Sequence, residues 1–84
     1  MGLTPRMRVT RLPEKLRAIR EGLNLSQGGM LQLLKFAELT DRSIISGYER
    51  GEREPPLPVL LGYARSVQIS VDYLIDDDLD LPQS

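Results

Sequence analysis

Apolar residues in this chain recur at spacings of three and four, in short runs stopped by glycine or proline, and show no β-strand alternation. Leu12, Leu16, Ile19 and Leu23 form the first such stripe, the mark of an amphipathic helix. Pro13 suits its first turn and Gly22 its end. Ser26 is a good N-cap for a second helix, whose buried stripe is Met30, Leu33 and Leu34. A third helix, capped by Thr40 or Asp41, runs to about Glu49 with Ile44, Ile45 and Tyr48 inward, and Gly51 stops it. Each proline in Glu54-Pro55-Pro56 holds the residue before it extended, so no helix crosses that point.

Leu57 to Val67 reads as helix four, where Pro58 is tolerated because it lies in the first turn. Its inward residues are expected to be Leu57, Leu60, Leu61, Ala64 and Val67. Ser70 then caps a fifth helix carrying Val71, Tyr73, Leu74 and Ile75. Because acids oppose the dipole at a helix C-terminus, Asp76-Asp77-Asp78 stops it near Ile75. The segment Lys35 to Leu39 either prolongs helix two or forms a compact turn anchored by Phe36, Ala37 and Leu39. A compact turn is expected. Five helices with short connections predict a compact all-α domain. Its expected core is Leu16, Ile19, Leu23, Leu25, Met30, Leu34, Ile45, Tyr48, Leu57, Leu60, Leu61, Ala64, Ile69 and Leu74.

At 84 residues the chain is one small domain with little core to spare. It has no cysteine and no histidine, which removes disulfides, zinc fingers, thiol nucleophiles and imidazole bases. No apolar run approaches the roughly 20 residues that span a bilayer, and Met1 to Thr10 lacks a secretory apolar core, so a cytoplasmic protein without a membrane partner is expected. The net charge of -1 conceals a division. Residues 1–53 hold ten Lys/Arg against six Asp/Glu, whereas from residue 54 onward Arg65 alone faces six acids. One end suits a phosphate backbone and the other repels it.

The ordered set Leu16-Arg17, Arg20, Gly22-Leu23, Leu25-Ser26-Gln27, Ile45-Ser46, Tyr48-Glu49-Arg50-Gly51, Pro55, Leu60-Leu61, Ala64-Arg65 and Ser70-Val71-Asp72-Tyr73-Leu74 resembles the phage-repressor-like helix-turn-helix regulators. This is the XRE, or lambda repressor and Cro, family. The resemblance covers about residues 12–76 and implies a five-helix lambda repressor-like DNA-binding domain, preceded by a flexible arm over 1–11 and followed by an acidic tail over 77–84. In that family the second helix crosses the DNA backbone, the third lies in the major groove, and dimers span two half-sites.

Carried over by position, the resemblance implies DNA contacts from Gln27, Asp41, Arg42, Ser43, Ser46, Gly47, Arg50 and Arg53. Gln27 follows the Ser26 cap, where backbone N–H groups favour phosphate, and it can also reach a base edge, as the matching glutamine does in relatives. Arg42 has the planar fork that reads guanine O6 and N7. Ser43 and Ser46 bond bases or phosphates, and Arg50 and Arg53 suit the flanking backbone. Arg20 and Glu49 are expected to form a structural ion pair across helices one and three. Arg6, Arg8 and Arg11 form a basic arm suited to phosphates or a minor groove.

Three departures stand out. Lys35 to Leu39 replaces a tighter glycine turn, and Gln68 stands where relatives have glycine at the end of helix four. Gly47 replaces a longer polar side chain and suits either close backbone approach or fewer base contacts. The leading function is a sequence-specific transcriptional repressor, dimeric through Val71, Ile75, Leu79 and Leu81. The alternative is a protein-interaction module, such as the antitoxin of a toxin, with Asp76 to Asp80 masking a basic partner. No cofactor, metal site or catalytic residue is expected: Asp76, Asp77, Asp78 and Asp80 lack the glycine and distal glutamate of a calcium loop.

Overall fold

The computed structural model describes residues 9–35 and 41–82. Over these residues the chain is all-α, with no strand, as the helical spacing predicts. The helices are α1 (Leu12–Gly22), α2 (Gln27–Leu34), α3 (Arg42–Glu49), α4 (Leu57–Ser66) and α5 (Asp72–Ile75). α3 packs on both α1 and α2, while α4 packs on α2 and α5, and α5 returns to α1. None is long and apolar enough to cross a membrane. Phe36 to Thr40, Arg6, Arg8 and Ser84 fall outside the described residues, and with them the expected turn and most of the basic arm.

Side-chain caps start the two middle helices. Ser26 Oγ accepts from Gly29 N at 3.0 Å, and Asp41 Oδ1 accepts from Ser43 N at 2.9 Å, each satisfying an orphan first-turn donor. Three helices end alike. In α1, α3 and α4 the residue after the C-cap is left-handed, and the next N–H reaches back to the third-last helical carbonyl: Leu25 to Arg20, Glu52 to Gly47, and Ile69 to Ala64. The left-handed residues are Asn24, Gly51 and Gln68. Gly22 is therefore the last helical residue of α1, and Asn24 turns the chain. Gln68 holds φ +60° without being glycine, a conformation that costs about 1–2 kcal/mol for a residue with a Cβ.

The core is Leu12, Leu16 and Ile19 from α1, Met30 and Leu34 from α2, Ile45 and Tyr48 from α3, Val59, Leu60, Tyr63 and Ala64 from α4, and Leu74 from α5. Leu23, Leu25 and Ile69 are half-buried against it. On α4 the expected face is wrong by about one residue. Leu57 is 72% exposed and Leu61 40% exposed, whereas Val59 and Tyr63 are fully buried. Helical spacing permits both stripes, since Leu60 and Ala64 belong to each. The neighbours on α2 and α5 select the one that fills the space with an aromatic ring. Leu33, expected inward on α2, is 48% exposed for the same reason: Met30 and Leu34 already occupy the inward side.

Residues after α5 close over the start of α1. Asp77 Oδ2 accepts from Thr10 N at 2.9 Å and Thr10 Oγ1 at 2.7 Å, and Oδ1 accepts from Arg11 N at 3.0 Å. A carboxylate distant in sequence thus caps α1, whose own N-cap residue, Arg11, makes no side-chain cap. Arg11, expected in a free arm, instead donates to the Asp77 carbonyl at 2.8 Å and to Asp80 Oδ1 at 2.6 Å. Leu81 packs against the core.

The hydrogen bonds from the Thr10 hydroxyl, and then from the Thr10 and Arg11 N–H groups, hold the Asp77 carboxyl down at about 2, from an ordinary 3.8. A carboxyl depressed by folding contributes stability that is fully present above its unfolded value and is lost as pH falls through the folded one. The Asp77 contribution should therefore disappear between about pH 4 and pH 2. Asp77→Asn should flatten that part of the acid limb in urea titrations at stepped pH, and an unchanged limb would deny the carboxylate this role.

Candidate nucleic-acid interface

α3 reaches the surface with one side locked and the other open. Ile45 and Tyr48 are buried and Ile44 is half-buried, which turns Arg42 and Ser43 outward, with Ser46 half-buried between the two sides. This follows from 3.6-residue periodicity once the inward pair is set. Asp41 lies at the open end, but its carboxylate is engaged in capping Ser43 N.

An ion pair holds the C-terminal end of α3. Arg20 Nε donates to Glu49 Oε2 at 2.7 Å, and the second nitrogen of its fork donates to Glu49 Oε1 at 3.1 Å. The remaining Arg20 nitrogen donates to the Leu25 carbonyl at 2.9 Å, so one guanidinium ties α1 to α3 and to the connection leading into α2. The two side chains are 14% and 5% exposed. Hydrogen bonding to Glu49 raises the Arg20 pKa above the ordinary arginine value despite the opposing effect of burial. Gln27 Nε2 also approaches Glu49 Oε1, at 3.4 Å. Gln27 is half-buried and opens α2, so its side chain spans from the α2 N-terminus to the end of α3.

Arg42 makes no ion pair among the described residues, and Arg50 is shared with Glu52 at 3.1 Å across an exposed loop. Gly47 differs from expectation: it is buried rather than turned to the groove, because the aliphatic stem of Arg53 lies over it. Arg53 is exposed. Arg42 and Ser43 are thus exposed at the start of α3, Ser46 is half-buried, Gln27 meets its end at Glu49, and Arg50 and Arg53 are exposed just beyond it, with Asp41 as a cap and Gly47 beneath the Arg53 stem.

The helix-turn-helix family model matches residues 16–74, well over half of the chain. The chain belongs to that family, in its XRE, lambda repressor and Cro-like branch. Membership makes it a DNA-binding helix-turn-helix regulator. Neither a curated protein nor a solved structure matches it.

Two residues that shape the family scaffold here escaped sequence reasoning. Tyr63 fills the centre of the core, its hydroxyl without a hydrogen-bond partner among the described residues. Burial, followed by the nearby Glu49 charge, pushes its ionisation well above the ordinary phenol range. Lys15 is 2% exposed and donates to the carbonyls of Tyr73 at 2.7 Å, Asp76 at 2.9 Å and Leu79 at 2.6 Å. The signal for Lys15 is its place three residues after Leu12 and four before Ile19, on the buried stripe itself.

Proposed function

We propose that this family member is a sequence-specific transcriptional repressor that binds as a dimer, with α3 in the major groove of each half-site. The observation that carries the reading is the contrast across α3: Arg42 and Ser43 are open, while the opposite side is fastened by Ile45, Tyr48 and the Arg20–Glu49 pair. A reading helix must keep its orientation while its outer side chains meet base edges, and this arrangement meets both demands. The α2 N-terminus adds first-turn N–H groups suited to a phosphate.

A second copy would complete a two-fold site, since half-sites lie about 34 Å apart along the duplex. The expected dimer residues Val71, Ile75 and Leu81 are half-buried against the core, which leaves less apolar surface on that end. The exposed large apolar side chains among the described residues are Leu33, Leu57 and Leu61. Pro55 to Ala64 carries no charge at all, so two copies meeting there bring no like charges together. The antitoxin reading gains nothing comparable, because Asp77 and Asp80 are bonded to Thr10 and Arg11 of the same chain.

Selection of bound duplexes from a random pool tests the reading. The expected result is a palindromic site whose affinity falls steeply with salt, by about 0.9 logarithmic units per tenfold change in salt for each phosphate contact. Arg42→Ala with Gln27→Ala should abolish enrichment. A pool that yields no preferred sequence at low salt would end the proposal.

A further inference from the structure

Gly47 occupies the flank of the open side of α3, one helical turn after the exposed Ser43. A Cβ placed on it would lie 3.0 Å from Arg53 Cδ, 3.2 Å from Cγ and 3.6 Å from Cβ. A methyl at this position would press on the stem of Arg53, which would have to give by a few tenths of an ångström. Backbone bonds hold the loop down at the same point, since Glu52 N–H and Arg53 N–H both donate to the Gly47 carbonyl, at 2.9 and 3.2 Å. Gly47 is not among the positive-φ residues, so its conformation does not demand glycine. What glycine supplies is room, at a helix position where alanine is intrinsically preferred.

The seated side chain is also uncommitted. Arg11, Arg17, Arg20 and Arg50 each pair with a carboxylate, whereas Arg53, like Arg42 and Arg65, has no ion pair or side-chain hydrogen bond among the described residues. A cation that only tracks phosphate needs no seat, because a flexible side chain finds a diffuse negative surface by itself. An arginine that reads a base does need one: its planar fork must meet two acceptors at once, and a stem already held loses less freedom on binding.

We propose that Arg53 reads a guanine edge in the major groove from the loop after α3, and that Gly47 is the seat that aims it. The inference rests on the DNA-binding reading above. Gly47 is then a positioning residue, and Arg53 a specificity-determining one that supplies, from outside the helix, a long side chain at the position where Gly47 has none.

Selection from a random duplex pool with the full chain tests this, followed by titration of the enriched duplex and its single-base variants. Wild type should require guanine at one position of each half-site. Arg53→Ala should lose that preference and bind the wild-type site about 10- to 100-fold more weakly, with the other positions unchanged. Arg53→Lys, which keeps the charge without the fork, should lose the preference while retaining the salt dependence. Gly47→Ala should shift the stem by a few tenths of an ångström and weaken the same preference. Adding it to Arg53→Ala should change nothing further, and unchanged circular dichroism and melting of each variant would exclude misfolding.

If Arg53→Ala enriches the wild-type site with a uniform loss of affinity and a shallower salt slope, Arg53 is a phosphate contact and the proposal is wrong. Gly47→Ala with the guanine preference intact overturns the seat. A wild type that enriches no sequence removes the underlying DNA-binding reading as well, an outcome distinct from either of the others.

Discussion

Glu49→Ala should lower the stability of the domain by about 3–5 kcal/mol, because it leaves the Arg20 guanidinium largely buried without its carboxylate. The partner is 14% exposed and gives two of its nitrogens to Glu49, at 2.7 and 3.1 Å, which leaves only the Leu25 carbonyl to satisfy it after the change. Urea denaturation followed by circular dichroism measures the loss. The double variant Arg20→Met with Glu49→Leu should recover a large part of it, since replacing both members with apolar groups removes the stranded charge. DNA binding should not recover in parallel, because the pair also sets the tilt of α3 and gives Gln27 its acceptor. A loss below about 1 kcal/mol for Glu49→Ala would mean that the pair behaves like an exposed one and fastens nothing.

Lys15→Met should cost about 3 kcal/mol, even though it places a more apolar side chain in a buried position. A charged donor bond contributes about 1.5–3 kcal/mol, and a buried carbonyl left without a partner loses about 1–3 kcal/mol. Here one ammonium serves the carbonyls of Tyr73, Asp76 and Leu79 with all three of its protons. α5 is four residues long and cannot persist by its own hydrogen bonding. The damage should therefore be local first: amide exchange should rise over Tyr73 to Leu81 while the amides of α1 and α3 remain protected. Uniform loss of protection would show that the segment after α5 unfolds only with the whole domain. A stability equal to wild type would show that the three bonds are replaced by water at no cost.

Particular residues show why some of this was legible in the chain and some was not. The stripe Leu12, Leu16, Ile19 announces α1 because spacing along a helix is a local property, and Ser26 and Asp41 announce helix starts because a cap acts within three residues of itself. Arg20 and Glu49 were legible through the family resemblance, since nothing local links two residues so far apart. Tyr63 was missed in favour of Leu61 because both lie on permissible stripes, and only the neighbours of α4 select between them. Lys15 was missed because its acceptors are backbone carbonyls, which leave no trace in residue identity. At the interface, Arg42 and Ser43 follow from periodicity, whereas the burial of Gly47 depends on a loop residue six positions later folding back.

The sequence alone determined the helical class, the number of helices, the ends of most of them and the family, because these depend on spacing, caps and an ordered motif within short reach. Tertiary structure decided the face that α4 buries, the cap that Asp77 provides for α1, the clasp of Lys15 on α5 and the seat that Gly47 gives Arg53. Each of these depends on which distant group fills a given volume or satisfies a given donor, and that is settled only when the helices are packed against one another.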